Sequence, residues 1–520
     1  MPKIANAVHC KLTSRPALAA QARCIDLISH QPQRAYASVP KAHTRIVIGL
    51  TLFLAAPVAV SENVQPLTPR SHVYLSQLTT GKRAIERRVY PDQEGLKKVL
   101  EIARGFELNS TTLNNVTLGQ QSGDNVRTSD QEIQVQLSYR PSTRMSIFGE
   151  LKLIAEQEDR DDATPRVSEE GVERGETWLH LENLFDSPYS IKIGHQNFFE
   201  PRRWWWDDDL DAISLNYLDD RWQVYVAYGE ELGRTSSIED FIDPENEDVE
   251  RLLGHANWRV SQTLDLAAFY LRQRDNSGIL PVGSVIETAR EDESDADLNW
   301  FGLRASGEIP LSRDRRLSYW VDAAMVDGDE ALLDFNDAGL GLSRVGSLTR
   351  RDIRGWAIDL GLIWTLPWWG APTVTISHAH GSGDKDLADD TDRSFRQTGL
   401  QDSDEEFRTY GELLRPELSN LRVSTAALTF PVHAKIYLTL GYHRFRQVYP
   451  APFLRETRIE ADPTGNSKDI GEELSLLVEL RKWENLEIDL AAAIFESGDA
   501  FGIRAGEHAN SVFVKLAYEF

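Results

Sequence analysis

One short stretch brings together three kinds of side chain that bind ions and rings. Arg202 and Arg203 are followed by three tryptophans and then by three aspartates, within eight residues. Guanidinium groups pair with carboxylates, and aromatic rings stack on cations and flat ligands. The residues alone support two interpretations. The stretch is either a binding site for sugar acids or a band of tryptophans at a membrane interface whose charges pair with one another.

A serine and several histidines raise the question of hydrolytic chemistry. Ser377 is followed by His378 and His380, and His433 and His443 belong to a later segment. If Ser377 and His378 lie on a strand, they point to opposite faces and do not form a nucleophile and base pair. His378 and His380 share a face and could line a channel or bind a metal together. We predict no enzymatic activity, no cofactor and no metal site.

Three connecting segments are dense in carboxylates. They lie at residues 156–173, 239–250 and 291–297. None of them has the spacing of a calcium-binding loop. We interpret them as solvated outer loops, and the binding of divalent cations beside lipopolysaccharide stays open as an alternative.

Strands are the elements that would position all of these residues. In the last ten residues every second side chain is apolar, so that one face of the segment is wholly apolar, while the other face includes Ser511, Lys515 and Glu519. About 9–11 residues is the length of a tilted strand that crosses a membrane. The same pattern predicts eighteen strands, at 106–118, 131–140, 145–155, 175–182, 189–196, 211–217, 221–229, 251–258, 263–272, 298–306, 316–326, 353–366, 371–379, 420–430, 434–446, 471–481, 485–496 and 510–520.

The second face of these strands is often charged. Buried charge is costly in a dry core, whereas a water-filled lumen accommodates it. The connections alternate between short turns and long loops, as in a membrane barrel. We therefore predict an all-β transmembrane antiparallel β-barrel of about 18 strands, with short periplasmic turns, long extracellular loops and a channel. Aromatic residues near strand ends predict an interfacial girdle, formed by Trp204–Trp206, Trp258, Trp368, Trp369, Trp483, Tyr518 and Phe520.

The first 61 residues read as a leader. The apolar run 46–60 follows basic residues and ends in small ones, as in a secretory signal peptide. We predict a leader and signal peptide at 1–61, a periplasmic segment at 62–105 with room for a short helix at 96–103, and the barrel at 106–520. No apolar run reaches the roughly 18 residues of a membrane helix.

Charge and cysteine content narrow the function classes. Residues 1–61 hold both cysteines, 7 Lys and Arg and 1 acidic residue, so the remainder carries 49 Lys and Arg against 80 Asp and Glu. This excess of acid argues against nucleic-acid binding. A mature chain without cysteine cannot use disulfides.

Three further motifs stand out: Phe395–Leu400, Gly411–Leu421 and Lys468–Leu474. They resemble the alginate-export family of outer-membrane porins, and Arg202–Asp211 is a partial match. The resemblance implies an eighteen-stranded monomeric porin of the cell outer membrane. It also implies that a polyuronate passes through a narrow, arginine-rich constriction, in company with a periplasmic export apparatus.

The resemblance and the strand parity together nominate the site residues. The family motifs contain Arg203, Arg396 and Arg415, with Glu412 and Asp207 as countercharges. Parity alone places four further cations in the lumen: Lys152, Lys192, Arg304 and Lys515. The expected partners are an anionic polysaccharide and the lipid and lipopolysaccharide of the outer membrane. A general porin for small anions or sugars, and an outer-membrane hydrolase, remain as alternatives.

Overall fold

A computed structural model of the chain describes residues 99–119, 125–161, 167–312, 315–367, 370–401, 409–433 and 435–520. The predicted leader and signal peptide and most of the predicted 62–105 segment lie outside the described residues. Within the described ranges no helix is both long and apolar enough to cross a bilayer.

The described residues form one sheet of twenty strands, two of which are very short. The strands are β1 (Val99–Asn114), β2 (Asn125–Ser142), β3 (Met145–Arg160), β4 (Val167–Leu181), β5 (Tyr189–Phe199), β6 (Asp207–Leu218), β7 (Trp222–Glu230), β8 (Val249–Ser261), β9 (Leu264–Asp275), β10 (Val285–Glu287), β11 (Ser294–Ser312), β12 (Arg315–Gly339), β13 (Leu342–Thr365), β14 (Thr373–Gly381), β15 (Thr391–Asp392), β16 (Leu421–His433), β17 (Ile436–Gln447), β18 (Asp469–Leu480), β19 (Leu486–Ser497) and β20 (His508–Glu519).

The eighteen long strands close into a ring. Each pairs antiparallel with the next, and β1 pairs with both β2 and β20, so that Phe106 lies opposite Tyr518. The backbone N–H of Phe520 donates to the carbonyl oxygen of Arg104 at 2.9 Å. Closure leaves the wall without an unpaired edge, which is what a lipid environment requires. The predicted antiparallel barrel of eighteen strands is confirmed.

Several strands are longer than the sequence pattern suggests. β1 begins at Val99, so residues 99–103 are strand where a short helix was predicted. β3 and β4 run through most of the acidic segment 156–173, which was predicted as a loop. Glu156 and Glu158 pair with residues of β4. Carboxylates do not prevent strand pairing here, because this part of the ladder lies outside the membrane and in contact with water.

The two faces of the wall differ as strand alternation predicts. On β3, Ile147, Leu151 and Leu153 are about half exposed, whereas Glu150 and Lys152 are buried. The apolar side chains therefore face outward to lipid and the charged ones face the lumen. The same pattern recurs on β13, whose outward residues run from Trp356 to Trp364.

Long connections at one end of the ring fold back into the barrel. We call this end the outer end; the other end carries the short turns. The segment 200–206 and the connections after β14, β17 and β19 pack together inside the barrel. Their buried residues include Trp205, Leu413, Ile459 and Phe501. These connections therefore occupy part of the outer half of the lumen. Inward side chains nearer the short turns are mostly polar, among them Ser138, Thr375, Thr425, Thr439 and Ser475.

Candidate functional site

The segment 200–206 between β5 and β6 is folded around one carboxylate. Glu200 accepts hydrogen bonds from the backbone N–H groups of Arg202, at 2.9 Å, of Trp204, and of Trp205, at 3.1 Å. Arg203 has a φ of 51°, the left-handed conformation that a tight turn needs. These bonds fix the direction in which the two arginines leave the segment.

Arg202 and Arg304 tie this segment to the far wall of the lumen. Arg202 binds Asp322 on β12 and, at 3.0 Å, Asp359 on β13. Arg304 on β11 binds Asp322 at 2.5 Å and both oxygens of Glu200, one of them at 3.2 Å. The network contains two guanidiniums and three carboxylates. It anchors the segment between β5 and β6 to strands β11, β12 and β13.

The three tryptophans that follow are core residues. Trp204, Trp205 and Trp206 are 2%, 1% and 0% exposed. The indole N–H of Trp204 donates to the hydroxyl of Tyr410 at 2.6 Å, and Trp205 stacks on Phe269 with ring centroids 4.7 Å apart. The girdle prediction is therefore wrong for these three rings, because loops that fold inward cover them, and no ring face is open to a sugar.

Other members of the predicted girdle do lie on the outer surface. Trp258, Trp483, Tyr518 and Phe520 are all more than a third exposed. Trp368 and Trp369 lie outside the described residues.

The predicted pair of Arg203 and Asp207 is present, with Nε and Oδ2 2.9 Å apart. Arg396 instead binds Glu330 on β12 through both terminal nitrogens, at 2.5 and 2.7 Å, and Asp392 at 3.1 Å. Its side chain is 1% exposed. Burial disfavours the charged guanidinium, but Glu330 and Asp392 more than offset this, so the pKa of Arg396 is raised.

Arg415 and Glu412 belong to a turn that one buried carboxylate holds. Arg415 Nε donates to the backbone carbonyl oxygen of Glu412 at 3.2 Å. The N–H groups of Glu412, Leu413 and Leu414 all donate to Glu473 on β18. In these hydrogen bonds Glu412 uses its main chain: its N–H donates to Glu473, and its carbonyl oxygen accepts from Arg415.

The lysines that parity assigns to the lumen do point inward, and each is bound by carboxylates. Lys152 contacts Glu173 at 2.8 Å and Glu132 at 3.3 Å. Lys515 contacts Glu107 at 2.8 Å. The third, Lys192, lies 3.5 Å from Glu176 and 4.3 Å above the ring of Trp178.

Exposure separates these cations into two groups. The side chains of Arg202, Arg203 and Lys192 are 15%, 13% and 16% exposed, whereas those of Arg304, Lys152 and Lys515 are 6–8% exposed. Sequence reasoning named Arg202 within its motif but did not include it among the site residues. It also missed Glu200, whose role depends on contacts that local sequence does not encode.

The histidines divide between the two faces of the wall. His378 and His380 point outward: His380 stacks on Trp356, and His378 lies 2.9 Å from the hydroxyl of Ser424. The alternative that they line the lumen does not hold, because their parity is that of the exposed Ile376. His443 points inward. No group of three or more His, Cys, Asp or Glu side chains in the described part of the chain is arranged to hold a metal.

Comparison with known proteins identifies the family of this chain and relatives with similar sequences. The model of a family described as "Alginate export" matches residues 104–515. The alginate production protein AlgE of Pseudomonas aeruginosa is 24% identical over 372 residues, covering 66% of this chain and 74% of that protein. AlgE of Pseudomonas syringae is 23% identical over 392 residues, covering 68% and 78%.

Solved structures share the fold at low identity. OccK5 of Pseudomonas aeruginosa matches with a TM-score of 0.50 and 9% identity, over 81% of this chain and 98% of that one. OccAB2 of Acinetobacter baumannii matches with a TM-score of 0.50 and 10% identity over the same shares. A closed single-chain barrel with an apolar outer surface is the architecture of the bacterial outer membrane, and this protein is located there. With a family model matched over most of the barrel, the chain belongs to the alginate export family.

Proposed function

We propose that this protein is a porin that passes an anionic polysaccharide, an alginate-like polyuronate, or its oligomers, across the outer membrane. Family membership and the AlgE relatives support the class of substrate. The observation that carries the proposal is the segment 200–206, which crosses the lumen and presents partly exposed guanidinium groups there. The proposal includes a monomeric barrel, no enzymatic activity and cooperation with a periplasmic export apparatus.

The chemistry of passage rests on exchange between carboxylates. A polyuronate carries one carboxylate per sugar, and desolvating it in a narrow lumen is unfavourable unless cations compensate. Two of the predicted site cations, Arg203 and Lys192, are partly exposed, and so is Arg202, the neighbour of Arg203. Each already binds a protein carboxylate, at 3.0, 2.9 and 3.5 Å. A passing carboxylate therefore replaces a bound one, which keeps each contact weak enough for movement.

The narrowing has a structural cause. The network of Arg202, Arg304, Glu200, Asp322 and Asp359 holds the segment 200–206 in place, and the loop that contains Tyr410 packs against it. We assign the constriction to this level of the lumen. Arg304, Lys152 and Lys515 then set the electrostatic field along the wall, because their side chains are nearly buried.

The test is conductance in planar bilayers with short oligouronates as blockers. The wild type is expected to prefer anions and to be blocked from the periplasmic side. The R202Q/R203Q variant is expected to lose anion preference and to be blocked about tenfold less, since a hydrogen bond to a charged group contributes about 1.5–3 kcal/mol. Lys192→Gln, outside the segment, should have a smaller effect in the same direction.

Arg259→Gln is the matched control, because Arg259 lies near a short turn and is 64% exposed. Heat-modified mobility on gels confirms that each variant is a folded barrel. Anion preference without block by oligouronates would instead support a general porin for small anions. Unchanged selectivity and block in R202Q/R203Q would exclude the proposed constriction.

A further inference from the structure

The outer wall carries a row of basic side chains across three neighbouring strands. His380 on β14 lies opposite Arg422 on β16, and Arg422 lies opposite Arg446 on β17. Their neighbours Val423 and Phe445 are buried on the lumen side, so the three basic side chains face outward. We call His380, Arg422 and Arg446 the outer-wall basic patch.

The patch lies where the apolar surface ends. On the same strands Ile376, Leu440 and Tyr442 point outward and are 62%, 42% and 40% exposed. His380 stacks on the exposed ring of Trp356, with centroids 4.9 Å apart. Aromatic residues mark the membrane interface, and these strands continue to the outer end. The patch is therefore at the level of the lipid headgroups of the outer leaflet.

Protein carboxylates do not neutralise the two arginines of the patch. Arg422 donates through Nε to His380 at 3.0 Å. Asp469 lies opposite Arg446 in the β17–β18 ladder, but within the described residues the side chain of Arg446 forms no hydrogen bond or ion pair. The carboxylates of Asp469 and Glu472 on the adjacent strand β18 bind Arg444 instead, at 2.8 and 2.9 Å. Two like charges directly opposite each other in a sheet repel, so an external anion between them would be stabilising.

We propose that the outer-wall basic patch binds a phosphate group of an outer-leaflet glycolipid, the phosphorylated lipid part of lipopolysaccharide. Neighbouring strands are about 4.8 Å apart, so the guanidiniums of Arg422 and Arg446 reach one phosphate together. Guanidinium and phosphate match in geometry and form charge-assisted bonds. The ligand is a lipid and not the transported polymer, because the patch faces away from the lumen and adjoins Ile376, a surface for acyl chains.

The proposal is tested by native mass spectrometry of the full-length barrel in mild detergent with added bis-phosphorylated lipid A. The wild type is expected to retain one lipid A. The R422Q/R446Q variant is expected to bind it about tenfold more weakly or worse. The matched control is R272Q/R274Q, two exposed arginines in the outer half of β9, which should retain the lipid.

Comparison of ligands identifies the source of the anion. The wild type should bind dephosphorylated lipid A weakly. Its affinity for that lipid should be no higher than the affinity of R422Q/R446Q for phosphorylated lipid A. Oligouronate should not displace the lipid, and its block of conductance should be the same in R422Q/R446Q as in the wild type. Equal lipid binding by R422Q/R446Q and the wild type, equal loss in R272Q/R274Q, or displacement by oligouronate would each overturn the proposal.

Discussion

At the scale of single residues, burial decides what each arginine can do. Arg396 belongs to one of the motifs that resemble the family, yet it is almost fully buried between Glu330 and Asp392. A guanidinium in this position cannot contact a polymer without leaving two carboxylates unpaired. We therefore assign Arg396 to holding the connection after β14 against β12. The side chains of Arg202 and Arg203 are more exposed, at 15% and 13%.

Arg396→Gln is expected to loosen that connection and leave the barrel intact. Removing one partner of a buried ion pair costs about 3–5 kcal/mol, because the remaining carboxylates lose their countercharge. Limited proteolysis should therefore cut residues 382–401 faster in Arg396→Gln. Arg272→Gln serves as the exposed control. An uncut loop combined with lost anion preference would show that Arg396 contributes to the constriction instead.

At the scale of elements, the connections at the outer end have two distinct characters. Those after β5, β14, β17 and β19 carry apolar residues that pack together inside the barrel. Those before β8 and β11 are acidic. Burial and the neighbouring Asp243 raise the pKa of Glu245 to about 8. Burial is also the main reason that the pKa of Asp292 is about 6 and that of Glu293 about 7.

These raised pKa values predict outer connections that loosen as the pH rises. A carboxyl group with a higher pKa in the folded loop than in the unfolded chain binds its proton more tightly when folded. Its contribution is stabilising below its ordinary pKa of about 4 and is lost as the pH rises through the folded value. Hydrogen exchange in residues 239–248, corrected for intrinsic rates, should be slower at pH 5 than at pH 8.5.

Glu245→Gln should weaken this pH dependence because the amide stays neutral throughout. The control is Glu287→Gln, an exposed glutamate in the neighbouring connection. Exchange that is equally slow at both pH values in the wild type would show that other groups compensate for these carboxylates.

At the scale of the whole molecule, stability depends on closing the ring between the two ends of the barrel. β1 and β20 pair over ten residues, from Gly105 opposite Glu519 to Asn114 opposite Asn510. Because the only two cysteines are Cys10 and Cys24, the barrel itself contains none. If Cys10 and Cys24 are replaced by serine, engineered cysteines can report on closure of the ring without competing thiols.

Thr112→Cys with Val512→Cys is expected to form a disulfide across the seam. The two positions are directly opposite each other, and opposite residues in antiparallel strands have Cα atoms about 4.5–5.5 Å apart, within the range of a disulfide. Maleimide labelling after denaturation should find no free thiol. Thr112→Cys with Ala517→Cys is the control, since Ala517 lies opposite Glu107. Equal crosslinking in both pairs, or none in the first, would contradict the register of the seam.

The alternation of apolar and polar residues was sufficient to predict the wall. Side chains in a strand point to opposite faces in turn, and a lipid-facing surface tolerates only one kind of residue, so orientation follows from local sequence. The inward direction of Lys152, Asp322 and Asp359 was predictable for this reason. The number of strands followed from counting the same pattern.

Only the tertiary structure decided what fills the lumen and which charges meet. Arg202 and Asp359 are 157 residues apart in sequence, and Trp204 and Tyr410 are 206 apart. Runs of tryptophan and arginine look the same in sequence whether they lie at an interface or in a core. Their burial depends on long connections folding into the barrel, a set of contacts between distant segments that no local pattern encodes.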